Sequence, residues 1–475
     1  MNAGPDNPGR PERVAPGVRT PSYVWPLVLA CVACWSVFWL ANFPAVMTPD
    51  SMSQWQQTLT GRYNDWHPVV HTLLIRVAAF VWPTPAAGIA VHIALMALAL
   101  AYTLQVVSRL GCGPIPVVLT AALYLHPVDG ALLATLWKDV PFTACFLAFT
   151  AALIVFSGLT DAPTRLDTVA VALGGIGMAL LRHNGIANVI AGLAALGWLC
   201  RSRRRLSLRT ALLVAVCLGI ASVLVHRVLR APEPPVTEAL AIPLQQAGAV
   251  IASGQPLSAH EETLLGAILP IETWERHYDP QSVDRVKFLP EFQPAAISVR
   301  PFAYLSLWFQ LWRDHPGVMF RAWVRQTGTV WDPRRNGVDA LPRGIVTNDL
   351  GLRPAPVSAP LGRLVTAVYR AFSSGLLSWF QKPAVIHLAL LLLALVCFRG
   401  AGVAALIPFA PVGVGLLVLL CFMPTSDFRY FYPGFAVLPP LAALAWRSHR
   451  RTRTATAMGQ STMLAATSDP LPPRK

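Results

Sequence analysis

The sequence predicts an all-α membrane protein of about 10 transmembrane helices. Three observations carry that expectation. Of the 475 residues, 54% are hydrophobic and only 13% are charged, where soluble domains carry about 25% charged residues. Apolar runs near the length that crosses a bilayer core recur along the chain. The surplus of cations over acids, Lys+Arg 38 against Asp+Glu 23, gathers in short clusters. In a chain this apolar, such clusters mark cytoplasmic loops and anionic headgroups, not a nucleic-acid partner.

Residues 1–22 are rich in Pro, Gly and Arg and predict a disordered basic N-terminus. The apolar run that follows has no clear small-residue cleavage site, so it reads as a retained first span. Predicted spans are 24–41, 86–108, 114–126, 139–157, 166–182, 185–200, 209–229, 384–398, 401–422 and 430–446. Several are short, and 114–126 is marginal. Residues 23–229 form an N-terminal transmembrane module with a first outer loop at 42–83. Residues 230–380, broken by Pro232, Pro234 and Pro235, predict a cap of short helices and loops on the outer face. Residues 381–446 hold the C-terminal spans, and 447–475 a cytoplasmic tail. Residues 68–83 carry His71 and Arg76 in an apolar run and read as a helix at the membrane surface. Residues 358–381 read likewise, with Arg363 and Arg370 at helical spacing.

Ten spans place both termini on one side. Arg10, Arg13 and Arg19, the cluster Arg201 to Arg209, Arg399, and Arg447 to Arg453 all fall on that side, which makes it cytoplasmic. The outer side then collects 50–71, 126–138, 182–184, 230–380 and 424–430.

Candidate functional residues lie on that outer side. Thr48-Pro49-Asp50-Ser51 reads as a helix start: an N-cap, a proline at the first position and an acid in the first turn. Asp50 is a candidate general base for an acceptor group, or an acid favoured by the helix dipole. Asp65, Trp66, His67 and His71 follow in the same loop. Asp50, Asp65 and His67 are the candidates if a divalent metal is bound; loop structure or substrate contact is the alternative. Trp137-Lys138-Asp139 offers a phosphate contact through Lys138, or an ion pair. Arg182-His183-Asn184-Gly185 places an arginine where the charge rule disfavours one, which points to an anionic partner. Arg429-Tyr430 sits in an aromatic stretch before the last span, again with a cation on the disfavoured side. Trp55, Trp66 and Trp137 could stack on a sugar face. The eight cysteines show no paired spacing, and Cys31 and Cys34 read as packing within a span. No Walker, Rossmann or kinase pattern is present, which argues against ATP-driven transport.

Taken in order and on one side, these motifs resemble the GT-C superfamily of integral-membrane glycosyltransferases, in the style of family-39 mannosyltransferases and bacterial lipid A sugar transferases. Thr48-Pro49-Asp50-Ser51, Asp65-Trp66-His67-Pro68, Trp137-Lys138-Asp139, Arg182-His183-Asn184-Gly185 and Arg429-Tyr430 carry the resemblance. It implies two juxtamembrane helices in the first outer loop, which 50–59 and 69–82 fit. It implies a polyprenyl-phosphate sugar donor, an envelope glycan, lipid or protein acceptor, and a bacterial inner membrane location. Asp50 takes the role of base, and Lys138, Arg182 and Arg429 that of donor-phosphate cations. Asp65, Trp66, His67, Asp139, His183, Asn184 and Tyr430 would support them. The paired carboxylates of a later outer loop are missing; Lys138-Asp139 is the nearest analogue, so a metal is not required by the motifs. Competing readings are a lipid-linked sugar flippase or other multi-pass transporter, and a membrane acyltransferase or polymer-assembly subunit. Transporters place ionisable groups near the midplane, whereas the polar groups here gather at one surface.

Overall fold

The computed structural model describes residues 21–234, 236–335 and 344–467. The predicted basic N-terminus, with Arg10, Arg13 and Arg19, lies outside them apart from its last two residues. Among the described residues the chain is helical, with three isolated β-bridges and no strand.

The loop after the first apolar helix forms two helices, as the sequence suggests. Helix α1 (Val24–Ala41) has no charged residue and ends where the Asn42 amide donates to the Phe38 carbonyl at 2.9 Å. Helix α2 (Pro49–Thr60) starts at Thr48, whose hydroxyl accepts from the Ser51 N–H, and stops at Gly61 with φ of 69°. That left-handed conformation suits glycine as a helix terminator. Helix α3 (Val69–Val81) buries His71, Thr72 and Ile75 and exposes Val77, Phe80 and Val81, as expected of a helix at a lipid surface.

The bundle follows. Helices α4 (Pro85–Arg109), α5 (Pro114–Leu123) and α6 (Pro127–Leu133) precede α7 (Asp139–Ile154); then come α8 (Arg165–Leu181), α9 (Gly185–Leu199) and α10 (Arg204–Ser222). Helix α7 is the hub: Asp139 to Ala144 are buried on every face. Helix α8 packs closely on it, because a Cβ at Gly174 would stand 3.0 Å from the Cys145 carbonyl oxygen.

The outer cap contains α11 (Ala241–Ala252), α12 (Ala259–Ile268), α13 (Ile271–His277), α14 (Asp284–Lys287), α15 (Pro294–Val299), α16 (Pro301–Asp314), α17 (Pro316–Gln326) and α18 (Gly328–Trp331). It has an apolar core of its own around Trp274, Leu265, Leu311 and Met319. Helix α19 (Ala359–Ser373) lies along α1, with Val365 packed against Phe38 and Ala41. Helices α20 (Pro383–Ala401), α21 (Ala410–Phe422) and α22 (Tyr432–Thr467) complete the chain.

Among the described residues six helices are long and apolar enough to cross a membrane, and α5 with α6, bent by 56°, would make a seventh. Their outer surfaces are apolar: Leu212, Val216, Ile220 on α10 and Leu388, Leu391, Leu395 on α20 are exposed. Leucines are not left in contiguous exposed rows in water. Ten spans were expected. Helices α8 and α9 have only 17 and 15 residues, and α22 mixes apolar turns with arginines. Helix α22 runs on to Thr467, because the arginines after Trp446 are polar without being helix breakers.

Candidate functional site

Short backbone pairings bring the outer-face residues together. The Val46 N–H donates to the Ala134 carbonyl at 2.8 Å, and the Leu136 N–H to the Val46 carbonyl at 3.1 Å. This lays the approach to α2 beside the approach to α7. Trp137 then donates its indole N–H to the Thr48 hydroxyl at 2.8 Å. Thr48 also caps α2, so Asp50 in the first turn is fixed against the outer end of the central helix.

Around Asp50 the charges interlock. Arg429 Nη1 meets Asp50 Oδ2 at 2.5 Å, and its Nε lies 3.1 Å from Asp427 Oδ2. His67 Nε2 lies 3.4 Å from Asp50 Oδ1, and Lys138 Nζ 3.0 Å from His67 Nδ1. Arg182 Nη1 reaches Asp139 Oδ1 at 2.8 Å. The guanidiniums of Arg429 and Arg182 lie 5.1 Å and 5.4 Å from the centre of the Tyr430 ring, and Arg429 also lies 5.0 Å from Trp137. Lys138, Arg182 and Arg429, far apart in sequence, therefore share one site with Asp50.

An ammonium only donates, so His67 Nδ1 accepts from Lys138, and the ring's other nitrogen carries the proton aimed at Asp50. Burial and the Lys138 charge hold His67 below its ordinary range, against the pull of Asp50. Burial also pulls Lys138 down, against Asp139 and Asp50. Burial alone would raise the Asp50 carboxyl. The His67 hydrogen bond and the Arg429 and Lys138 charges outweigh it and hold Asp50 well below the usual carboxylate range. Burial pushes Asp427 up instead, with Arg429 opposing.

Other expected residues play different parts. Asp65 Oδ1 accepts from the Val69 N–H at 3.1 Å, capping α3, and its Oδ2 faces His226 at 3.8 Å. The set Asp50, Asp65 and His67 is thus not assembled as metal ligands: His67 meets Asp50, but Asp65, two residues before it, is turned to the start of α3 and His226. Among the described residues no three His, Cys, Asp or Glu side chains gather where they could hold a metal ion. His183 Nε2 lies 3.1 Å from the Asp65 carbonyl oxygen and tethers the α8–α9 turn to the first loop. That turn is tight, since a Cβ at Gly185 would sit 2.1 Å from the Met178 carbonyl oxygen. Trp66 is partly exposed and packs on Phe288 of the cap, away from the Asp50 contacts.

Asp427 and Thr48 belong to the site, although neither was expected as a member. Asp427 carries a local signal, since an acid two residues before an arginine can cap the turn between them. It does so here, accepting from the Arg429 N–H at 3.0 Å. The Thr48–Trp137 bond has no local signal.

Beside the charged cluster a crevice opens between α7, α9, α20, α21 and α22. Arg182, Asn184, Asn188 and His387 supply its polar edge, and Phe142, Leu416, Leu419 and Phe431 its apolar walls. Arg182 therefore stands at the junction of the ionic site and a small apolar crevice of about 50 Å³.

A model described as a family of unknown function (DUF6020) matches residues 55–335, more than half of the chain. The matched stretch includes His67, Lys138, Asp139 and Arg182; Asp50 and Arg429 lie outside it. No curated protein and no solved structure matches the chain.

Proposed function

This chain belongs to the DUF6020 family, and we propose that it is a membrane glycosyltransferase. It moves a sugar from a polyprenyl-phosphate donor to a lipid, glycan or protein acceptor on the outer face of a bacterial inner membrane. In this reading α5 and α6 form one broken span, and α8, α9 and the first part of α22 join the six longer ones. The spans then number ten, both termini are cytoplasmic, and the Arg201–Arg203 turn and Arg399 lie on the cytoplasmic side.

One observation supports the reading above the rest. Arg429, Lys138 and Arg182 interlock with Asp50, Asp139 and Asp427 beside an apolar crevice, so every cation already faces an acid or its neighbour. A phosphate entering the site must displace a carboxylate. Asp50 is the one to yield, with its side chain 30% exposed against 2% for Asp139 and 14% for Asp427. Paired with Arg429, Asp50 is too weak a base to be useful near neutral pH. Once the donor phosphate takes Arg429, Asp50 loses the partner that stabilised its charge, and its basicity rises. Donor binding thus switches on the base.

The transfer step is an inverting displacement. The acceptor oxygen bonds to the anomeric carbon as the bond from that carbon to the phosphate oxygen breaks. The electron pair leaves on the phosphate, where Arg429 and Lys138 oppose the growing charge. The acceptor proton passes to Asp50, oriented by the His67 N–H.

The test is sugar transfer by the purified chain in proteoliposomes, with a panel of radiolabelled polyprenyl-phosphate sugars. Asp50→Asn keeps the shape and removes the base, and turnover should fall by about 10²-fold or more. Normal turnover by the variant would sink the assignment of Asp50.

A further inference from the structure

The outer cap encloses an apolar chamber of about 310 Å³. Its walls are Leu244 and Ala247 of α11, Leu265 and Ile268 of α12, and Leu307 and Leu311 of α16. Two aromatic lining residues have polar groups, and both are satisfied outside the space. Tyr304 donates its hydroxyl to the Leu264 carbonyl at 3.0 Å, and Trp308 its indole N–H to the Gln246 side chain at 2.7 Å. The chamber therefore presents almost only hydrocarbon. Apolar cavities of about 150 Å³ stay dry and take up benzene; this one is about twice that size, and left unfilled it would forfeit packing.

Beside the chamber runs an exposed stripe on α16. Phe302, Leu305 and Phe309 recur at helical spacing and are 83%, 49% and 59% exposed. Leu305 belongs to both the stripe and the chamber lining. Arg300 and Arg313 flank the stripe, with Arg313 also paired to Asp314 at 2.7 Å. Helix α16 is joined through His315 alone to α17, and α17 is seated on the outer end of α21. Trp323 donates its indole N–H to the Leu420 carbonyl, and Gln326 its amide to the Met423 carbonyl, both at 2.8 Å. An amphipathic helix that is apolar on its free side and flanked by arginines suits the headgroup region of a bilayer.

We propose that α16 rests in the outer leaflet and that the chamber behind it takes one hydrocarbon chain of a membrane lipid, entering past Leu305. This stands whether or not the chain transfers sugars.

The experiment uses the full chain in vesicles of phosphatidylethanolamine and phosphatidylglycerol. The probe is a phosphatidylcholine with a diazirine at the end of one acyl chain; a second probe carries the diazirine near its headgroup. After irradiation the labelled peptides are mapped by mass. The tail probe should label peptides bearing Ala247 and Leu307. In Ala247→Phe, which fills the chamber, and Leu305→Trp, which closes its mouth, that label should fall about tenfold or more, as a clash of side-chain size imposes on occupancy. The headgroup probe should label the α16 stripe in all three proteins. Because Leu305 is half exposed, Leu305→Trp decides the matter if Ala247→Phe does not fold. Absence of tail label from the chamber in the unsubstituted chain would overturn the proposal. So would undiminished label in Leu305→Trp, or recovery of the label on a copurifying polypeptide seated there.

Discussion

Asp50 divides its two carboxylate oxygens between unlike partners, a permanent cation in Arg429 and a neutral ring in His67. Arg429 in turn spans Asp50 and Asp427 while lying against Trp137 and Tyr430. Only a planar fork meets such a set of partners at once; an ammonium would hold one carboxylate and lose the stacking. His67 contributes differently. Its folded-state pKa lies below the ordinary 6.5, so between the two values the unfolded chain binds more protons than the folded one. Stability from this residue is therefore present above about pH 6.5 and is lost as pH falls below it. His67→Gln keeps an acceptor for Lys138 and a donor for Asp50 but does not titrate. Measured by thermal unfolding from about pH 8 to about pH 5, the midpoint of His67→Gln relative to the unsubstituted chain should rise as pH falls through this window. Buried histidines common to both proteins cancel in that difference. A constant or falling difference would show that burial and Lys138 do not hold His67 neutral in the folded protein.

Helix α2 shows what the sequence makes legible and what it does not. Thr48 as N-cap and Pro49 at the first position are local signals, and both are found in place. The convergence of Lys138, Arg182 and Arg429 was legible indirectly: on the span count expected from the sequence, three cations fall on the side that disfavours them, which calls for an anionic counterpart. The Thr48–Trp137 hydrogen bond was not legible, since it joins residues 89 apart and depends on how two loops pair. For Asp65 the sequence left a metal ligand and loop structure or substrate contact open for the same reason: spacing shows that acids and imidazoles are near each other, but the turn decides where each one points, and here the carboxylate caps α3. Thr48→Val tests the tertiary bond. Valine keeps the volume but removes the cap, worth about 1 kcal/mol, and leaves the buried Trp137 N–H unpaired, about 1–3 kcal/mol more. Thermal or chemical unfolding should therefore show a loss of about 2–4 kcal/mol. Transfer turnover should fall too, because the first turn of α2 frays and Asp50 shifts. Thr48→Ser retains both bonds and should restore both measurements; if it does not, the hydroxyl is not what positions Asp50.

Across the whole molecule, one short stretch of the cap touches both loops that build the site. Lys287 is buried, with its ammonium 2.8 Å from Glu238 and 3.5 Å from Asp284. It also lies 4.9 Å and 5.9 Å from the centres of the Phe288 and Trp66 rings. Trp66 directly precedes His67. On the other side the Val283 N–H donates to the Pro424 carbonyl at 3.1 Å, and Ser282 bridges Thr425, in the loop that carries Asp427 and Arg429. The segment from 282 to 288 thus spans the two loops whose side chains meet at Asp50, and Lys287 is its electrostatic anchor. On the proposed function, a lone pair of loops would drift apart when a donor phosphate draws Arg429 away from Asp50; tied through the cap, they would keep their spacing while partners exchange. Lys287→Met keeps most of the apolar stem against Trp66 and removes the charge, leaving Glu238 and Asp284 facing one another's neighbourhood without a cation. Partly exposed acids can turn to water, so the expected stability loss is modest, about 1–3 kcal/mol. The larger effect should be local. Limited proteolysis should cut near 282–288 faster in the variant, while Trp274 in the cap core keeps its fluorescence. Turnover should drop with little change in acceptor binding, because the loops that hold Asp50 and Arg429 are no longer held in step. If cleavage quickens and turnover stays the same, the cap shields the site without setting its geometry.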